Sequence, residues 1–156
     1  MRRVRYNNYH KHTTFSSIFT PDTHIQPIEY FKRAKELGHN TYFTTEHGFG
    51  GDIFEVVRLS QMEEFKGIKP IFALEGYIVP NPLEKDNSNY HIMLIARTDK
   101  ARKKLNKINS RANKYGYYYK PRIFVNDLLK LSKDDIYITT ACIAGFVSDK
   151  KGFTEI

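Results

Sequence analysis

The sequence has a single cysteine, Cys142, and no apolar run long enough to span a membrane. One cysteine excludes an intramolecular disulfide, which is typical of a protein kept in a reducing compartment. Residues 1–5 are basic and lead directly into polar residues, without the apolar core that defines a signal peptide. These absences predict a cytoplasmic protein with no membrane partner.

Three common enzyme signatures are also missing. The chain has no phosphate-binding G-x-x-x-x-G-K-[ST] motif and no G-x-S-x-G nucleophile turn. The glycines at 48–51 lack the spacing of a dinucleotide-binding loop. These absences disfavour nucleotide cofactors and serine hydrolysis. A nucleophilic Cys142 paired with a histidine is an alternative, but this interpretation would leave a carboxylate and several histidines without a role.

Acidic residues are scarce in one segment of an otherwise nearly balanced chain. Lys and Arg number 25 against 17 Asp and Glu, a formal net charge of +8. Residues 97–122 hold ten of the basic residues and one acidic residue, and the same segment contains four tyrosines within 115–119. Basic side chains next to aromatic rings can follow a phosphate backbone while stacking bases, although a solvated or packed surface has the same composition. The predicted nucleic-acid contacts are Lys103, Lys104, Lys107, Arg111, Tyr118, Tyr119, Lys120 and Arg122.

The hydrophobic pattern alternates between helix and strand. Helices are predicted over 27–37, over 52–65 with Asp52 as cap, from an Asp99 cap through Ala112, and over 126–131. Strands are predicted over 41–45, 70–74 with an extension to 79, 92–96 and 136–140, with a surface loop at 81–89. The unbroken apolar run at 92–96 is typical of a central strand. This alternation predicts one α/β domain with a mainly parallel sheet or barrel.

Metal-binding side chains follow several of these strands. His10 and His12 come after a short segment at 4–9, His47 after the strand at 41–45, Glu75 after 70–74, and Cys142 after the last strand. Because loops converge at the carboxyl ends of parallel strands, these groups are expected at one edge, where they suit Zn²⁺ or Mn²⁺. Each alone has an ordinary interpretation: an incidental His-x-His, a turn histidine, a buried core cysteine.

Six short motifs lie at residues 10–16, 44–48, 73–77, 90–96, 117–122 and 140–145. The first is H-K-H-T-T-F-S, and the second is T-T-E-H-G. Together the six resemble motifs of the PHP (polymerase and histidinol phosphatase) domain that opens bacterial and phage DNA polymerase III alpha subunits, although Glu46 stands where the family has Asp. The motifs Y-Y-Y-K-P-R and T-A-C-I-A-G resemble those of the polymerase branch and indicate it.

The resemblance implies a PHP-type (β/α) barrel-like fold with two or three Zn²⁺ or Mn²⁺ ions. It assigns catalytic roles to Glu75 and His12, and it places Glu46 behind the ligands. A short insertion at 18–21 separates Asp22 from the first motif. The metal ligands that the resemblance implies are His10, His12, Asp22, His47, Glu75, His91 and Cys142.

The function that the resemblance implies is the N-terminal PHP portion of a DNA polymerase III alpha-type replicase. Its metal site would act as a phosphoesterase resembling a 3′–5′ proofreading exonuclease, on single-stranded DNA or a primer 3′ end. The remaining polymerase segment or other replisome subunits would be partners. The alternatives are a non-catalytic metal-binding module of the replicase and a free-standing PHP phosphatase.

The resemblance also implies that residues 1–156 form an incomplete domain without the polymerase palm. Two further ligands expected late in the family, an Asp and a His, have no counterpart, since no histidine follows His91. Metal-assisted hydrolysis requires a complete, correctly held ligand set. The chain alone is therefore expected to show negligible exonuclease activity.

Overall fold

A computed structural model of the chain describes residues 6–18, 21–149, 154 and 156. The chain forms two compact units, one of Met1–Glu46 with Gly50–Phe72 and one of His47–Phe49 with Ala73–Ile156. No helix in this described part is both long and apolar enough to cross a membrane. The α-helices are α1 (Pro27–Glu36), α2 (Ile53–Ser60), α3 (Asp99–Tyr115) and α4 (Val125–Leu128). The strands are β1 (Thr41–Thr44), β2 (Lys69–Val79), β3 (Tyr90–Ala96), β4 (Tyr117–Tyr118), β5 (Lys120–Phe124) and β6 (Ile136–Thr139).

The first unit packs α1 and α2 with β1 around aromatic side chains. β1 runs parallel to the start of β2, where Thr41 pairs with Lys69. Phe31 of α1 is fully buried, and its ring stacks on that of Tyr42 with centroids 4.5 Å apart. As predicted, α1 begins at a proline and is followed by Gly38, whose φ of 69° suits glycine.

The second unit is built on a sheet with the strand order β4-β5-β2-β3-β6. β3 lies between β2 and β6, and five of its seven residues are buried, which confirms the predicted central strand. α3 packs against β3 and β5 through the four apolar residues that the sequence periodicity identified. Those buried residues are Ala101, Leu105, Ile108 and Ala112.

The prediction of a mainly parallel sheet is wrong for the described residues. Two of the described strand pairs are parallel, β1 with β2 and β2 with β5. The other three described pairs are antiparallel: β2 with β3, β3 with β6, and β4 with β5. The reason lies in the connections. A parallel neighbour requires a long crossover, whereas a helix-free loop at 80–89 joins β2 to β3 and returns the chain in the opposite direction. The fold is a mixed α/β sheet.

Several predicted boundaries also differ from the structure. The helix expected over 52–65 is α2 followed by a separate 3₁₀ turn, Glu63–Phe65. Asp52 precedes α2, but its buried carboxylate makes no capping hydrogen bond. Glu75 does not follow its strand, because β2 continues to Val79. The segment at 4–9 and the insertion at 18–21 lie partly outside the described residues.

The helix cap of α3 is Thr98 and not Asp99. The Thr98 hydroxyl oxygen accepts a hydrogen bond from the Ala101 amide at 3.1 Å, whereas Asp99 lies inside the first turn and bonds to Arg102. We therefore expect Thr98→Ala to lower the free energy of unfolding by about 1 kcal/mol, and Asp99→Ala to lower it less. Urea unfolding of both variants followed by circular dichroism measures the difference. A larger loss in Asp99→Ala would contradict the assignment.

Candidate metal centre

The second unit brings four of the predicted ligands together. Glu75 lies within β2, and its neighbour β3 begins near His91, which pairs with Tyr77 across the antiparallel ladder. Because side chains alternate between the faces of a strand, Glu75 and Tyr77 share a face with His91. His47 forms an isolated parallel bridge with Glu75, and Cys142 follows β6. Their side chains converge on the Glu75 carboxylate.

The distances around Glu75 are short. Its Oε1 lies 2.7 Å from His91 Nδ1, and its Oε2 lies 3.5 Å from His47 Nδ1. Cys142 Sγ lies 3.5 Å from His91 Nδ1 and 3.8 Å from Glu75 Oε1. Ligand atoms that share a tetrahedral ion through bonds of about 2.0 to 2.3 Å are roughly 3.3 to 3.8 Å apart. The distances of 3.5 and 3.8 Å fall in this range, whereas the 2.7 Å contact of His91 with Glu75 is a hydrogen bond. His47, Glu75 and His91 each offer a ligand atom within 4.8 Å of the others, which makes them a candidate metal group.

Burial also favours a cation here. Glu75 is 1% exposed, and a buried carboxylate is costly unless positive charge or hydrogen bonds compensate it. Two imidazoles, a carboxylate and a thiol form the mixed set that Zn²⁺ uses. Partial desolvation raises the pKa of the Cys142 thiol, and the Glu75 carboxylate raises this pKa further. Cation binding would therefore release the thiol proton.

Cys142 itself is exposed, so its alternative interpretation as a buried core cysteine is wrong. The turn that holds it is fixed by backbone hydrogen bonds. The amide of Gly145 donates to the Cys142 carbonyl at 2.9 Å, and the amide of His91 donates to the Ala144 carbonyl at 3.0 Å. A β-carbon on Gly145 would lie 2.3 Å from the Thr140 carbonyl oxygen, so this position requires glycine.

The first unit holds the His-x-His pair. His10 Nε2 and His12 Nε2 are 3.1 Å apart, and the rings meet edge to face. Two nitrogens bound to one ion through bonds of about 2.0 to 2.1 Å are roughly 3.0 to 3.4 Å apart, so this spacing also fits a shared cation. The structure thus places these two imidazole nitrogens side by side, and their role as metal ligands stays a prediction.

A buried hydrogen-bond chain orients His12. Glu46 is 1% exposed and accepts hydrogen bonds from the Thr13 amide, from the Thr13 hydroxyl at 2.8 Å and from the Ser16 hydroxyl. Since the Ser16 hydroxyl donates to Glu46, its oxygen can accept from His12 Nδ1 at 2.9 Å. The His12 proton then lies on Nδ1, and Nε2 presents a lone pair. Glu46 therefore reaches His12 through Ser16, and its role behind the metal ligands stays a prediction.

Lys11 and Asp52 form a second buried set that the sequence reasoning missed. The Lys11 ammonium lies 3.4 Å from the centroid of the Tyr42 ring and donates to the Phe43 carbonyl. Burial lowers the pKa of Lys11 to about 8 and raises that of Asp52 to about 7. The available signal was the position of Lys11 between His10 and His12, because an extended chain turns the middle side chain away from its two neighbours.

Asp22 is exposed and lies near the imidazole of His12. Its Oδ2 is 3.9 Å from His12 Nδ1, the nitrogen that also contacts Ser16. Its role as a ligand stays a prediction.

Much of the predicted DNA-binding segment is engaged in ion pairs. Lys104 contacts Asp135 at 2.6 Å, Lys103 contacts Asp99 at 3.2 Å, and Arg111 contacts Asp127 at 2.6 Å. Lys107 is exposed and forms no ion pair within the described part of the chain. The net charge of the α3 surface is therefore lower than the sequence run suggests.

Arg122 differs from the other predicted DNA contacts because it is only 2% exposed. Its guanidinium donates to the carbonyls of Gly116 at 3.0 Å, Asp86 at 2.9 Å and Pro82 at 2.7 Å. Its donors thus hold the 80–89 loop instead of facing solvent. We therefore leave Arg122 out of the DNA interface.

Comparison with known proteins agrees with this geometry. The PHP domain family matches residues 8–153. The chain is 34% identical to DNA polymerase III subunit alpha of Aquifex aeolicus over 94% of its length, and 30% identical to that of Helicobacter pylori over 92%. It is 29% identical to the subunit of Borreliella burgdorferi over 93%. The chain spans only 12% to 13% of the length of these relatives. A match of this extent, with the family's histidine motifs paired in the fold, shows that the chain belongs to the PHP domain family.

Proposed function

We propose that this chain is the metal-binding PHP part of a DNA polymerase III alpha-type replicase. The observation that carries the proposal is the convergence of His47, Glu75, His91 and Cys142 within 3.8 Å contacts around one buried carboxylate. His10, His12 and Asp22 are proposed as further ligands. Closure into a barrel-like domain, with the polymerase segment or other replisome subunits as partners, belongs to the same proposal.

The proposed chemistry is hydrolysis of a phosphodiester at a DNA 3′ end. Bound Zn²⁺ or Mn²⁺ would neutralise phosphate oxygens and lower the pKa of a water molecule. The two carboxylate oxygens of Glu75 face different histidines, Oε1 toward His91 and Oε2 toward His47. The negative charge of Glu75 would balance the positive charge of a bound cation. His12, held by Ser16 with its proton on Nδ1, would present Nε2 in a constant orientation. We propose Glu75 and His12 as catalytic residues on this basis.

A non-catalytic role is the second candidate, and a specific observation favours it. The four donors come from separate parts of the chain: Glu75 from β2, His91 from the start of β3, Cys142 from the turn after β6, and His47 from the position after Glu46. A cation there would join segments distant in sequence and stabilise the fold without any reaction. In that case metal removal would lower stability while DNA turnover stayed absent.

One experiment separates these candidates. The chain is incubated with Mn²⁺ or Zn²⁺ and a 3′-labelled single-stranded oligonucleotide, and mononucleotide release is measured beside metal content. We expect bound metal with negligible release from residues 1–156, because no histidine after His91 completes the ligand set. Release that disappears in Glu75→Gln would show that the present donors suffice for hydrolysis. A folded chain without metal would contradict the proposal.

The exposed α3 surface is proposed to bind the DNA backbone. We expect the triple change of Lys103, Lys104 and Lys107 to glutamine to weaken single-stranded DNA binding. The slope of the logarithm of affinity against the logarithm of salt concentration should fall in magnitude by about 2, because the lost phosphate contacts no longer release counterions. Fluorescence anisotropy across a series of salt concentrations measures the slope. Changing Lys32, Lys35 and Lys66 on the other unit provides a charge-matched control. Equal slopes for the two triple variants would show that these α3 lysines form a solvated surface and do not contact DNA.

A further inference from the structure

A pocket of about 280 Å³ lies within the second unit, and one of its lining residues, Lys120, contacts the ring of Tyr77. Its lining consists of Asn87 and Asn89 from the 80–89 loop together with Tyr118, Tyr119 and Lys120. The volume is near the lower end of small-molecule pockets, which suits a ligand with one ring system. The lining combines two aromatic rings, two carboxamides and one ammonium group.

Lys120 connects this pocket to the proposed metal centre. Its Nζ lies 4.6 Å from the centroid of the Tyr77 ring and donates to Asn89 Oδ1 at 3.4 Å. The Tyr77 ring in turn contacts the imidazoles of His91 and His47, with centroids 5.1 and 5.9 Å apart. A phosphate held by Lys120 would therefore lie next to the ring that packs on two proposed ligands.

The pocket is already organised in the structure. Buried Arg122 fixes the loop through the carbonyls of Pro82 and Asp86, and its guanidinium carbon lies 5.3 Å from the centroid of the Tyr118 ring. Tyr119 has a φ of 58°, a left-handed conformation that residues other than glycine seldom adopt. Tyr119 is 73% exposed, and its ring meets that of Tyr118 edge to face with centroids 4.7 Å apart. Such backbone strain is often found at binding sites.

We propose that this pocket binds a single unstacked nucleotide, with the base against Tyr119 and the 5′-phosphate on Lys120. Exposed tyrosine rings stack on bases of any sequence, and the carboxamides can donate to and accept from a base edge. Building on the proposed function, the pocket would select the last, unpaired nucleotide of a DNA strand. A paired base is unavailable for such stacking, because it remains in the duplex.

The test uses thymidine 5′-monophosphate, with deoxyribose 5-phosphate as the probe that lacks a base. Calorimetric titration of the full chain should show that the base strengthens binding about tenfold. Tyr119→Ala should abolish that difference, whereas Tyr117→Ala, at an exposed tyrosine outside the pocket, should retain it. Lys120→Gln should weaken both probes to a similar degree. Equal affinity for the two probes, or equal loss in both tyrosine variants, would overturn the proposal.

Metal analysis of the same samples separates this inference from the proposed function. A chain without metal that still binds the nucleotide through Tyr119 would support the pocket and reject the metal centre. A metal-loaded chain whose nucleotide affinity is unchanged by Tyr119→Ala would reject the pocket alone. Thermal unfolding of each variant excludes loss of fold as the cause, and unaltered unfolding is expected because Tyr119 is exposed.

Discussion

We expect the wild-type chain to be purified with about one or more equivalents of Zn²⁺ or Mn²⁺. Replacing Glu75 with glutamine should remove most of this metal, so that the variant retains only a small fraction of the wild-type content. Glutamine keeps the shape of the side chain but removes its charge, and Glu75 is the group that the other donors surround. Loss of a neighbouring hydrogen-bond partner typically costs 10- to 100-fold in metal affinity, so losing this ligand should cost more. Elemental analysis after dialysis measures the retained metal.

The matched control is Glu84→Gln, which neutralises an exposed carboxylate in the same unit. It should leave the metal content unchanged. A chelator should lower the thermal stability of the wild-type chain and of Glu84→Gln, because an ion that binds only the folded state stabilises it. If Glu75→Gln keeps its full metal content, the ion lies elsewhere and the assignment of this centre fails.

Replacing Arg122 with alanine should produce the largest loss of stability among the variants considered, about 3 to 5 kcal/mol in the free energy of unfolding. Three carbonyl groups lose a charged donor, and hydrogen bonds to charged groups each contribute about 1.5 to 3 kcal/mol. The loop at 80–89 would also lose its attachment to β5. Urea unfolding measures the effect.

Arg97→Ala provides the control, since Arg97 is exposed and donates to one carbonyl, that of Lys133. It should change stability much less. The salt slope of DNA binding should stay the same in any Arg122 variant that remains folded, because the guanidinium faces carbonyls and not solvent. A normal stability with a reduced salt slope would instead restore the sequence-based prediction that Arg122 contacts DNA.

Several elements could be read directly from the sequence. The spacing of Ala101, Leu105, Ile108 and Ala112 predicted α3, and these residues are buried as expected. The apolar run in β3 predicted a central strand, which the sheet order confirms. Local periodicity determines such features, because burial of one helix face or both strand faces depends on residues close in sequence.

Other features depended on contacts that periodicity does not encode. Arg122 lies in a run of basic residues and resembles the lysines around it in sequence, yet only it is buried against three carbonyls. The Thr98 cap and Asp99 are adjacent and chemically suited to the same role. In both cases the outcome depends on the packing of a loop or on the local backbone geometry, which neighbouring letters do not specify.

The sequence by itself determined which chemical groups the centre contains and that strands present them. It could not determine strand direction, because side chains alternate with the same period in parallel and antiparallel strands. His91 is the second residue of β3, so in a wholly parallel sheet it would lie at the opposite edge from the strand ends. The antiparallel pairing of β3 with β2 and β6 places that beginning beside Glu75 and the turn carrying Cys142. The candidate site is therefore formed by hydrogen-bonded pairing between strands that are distant in sequence.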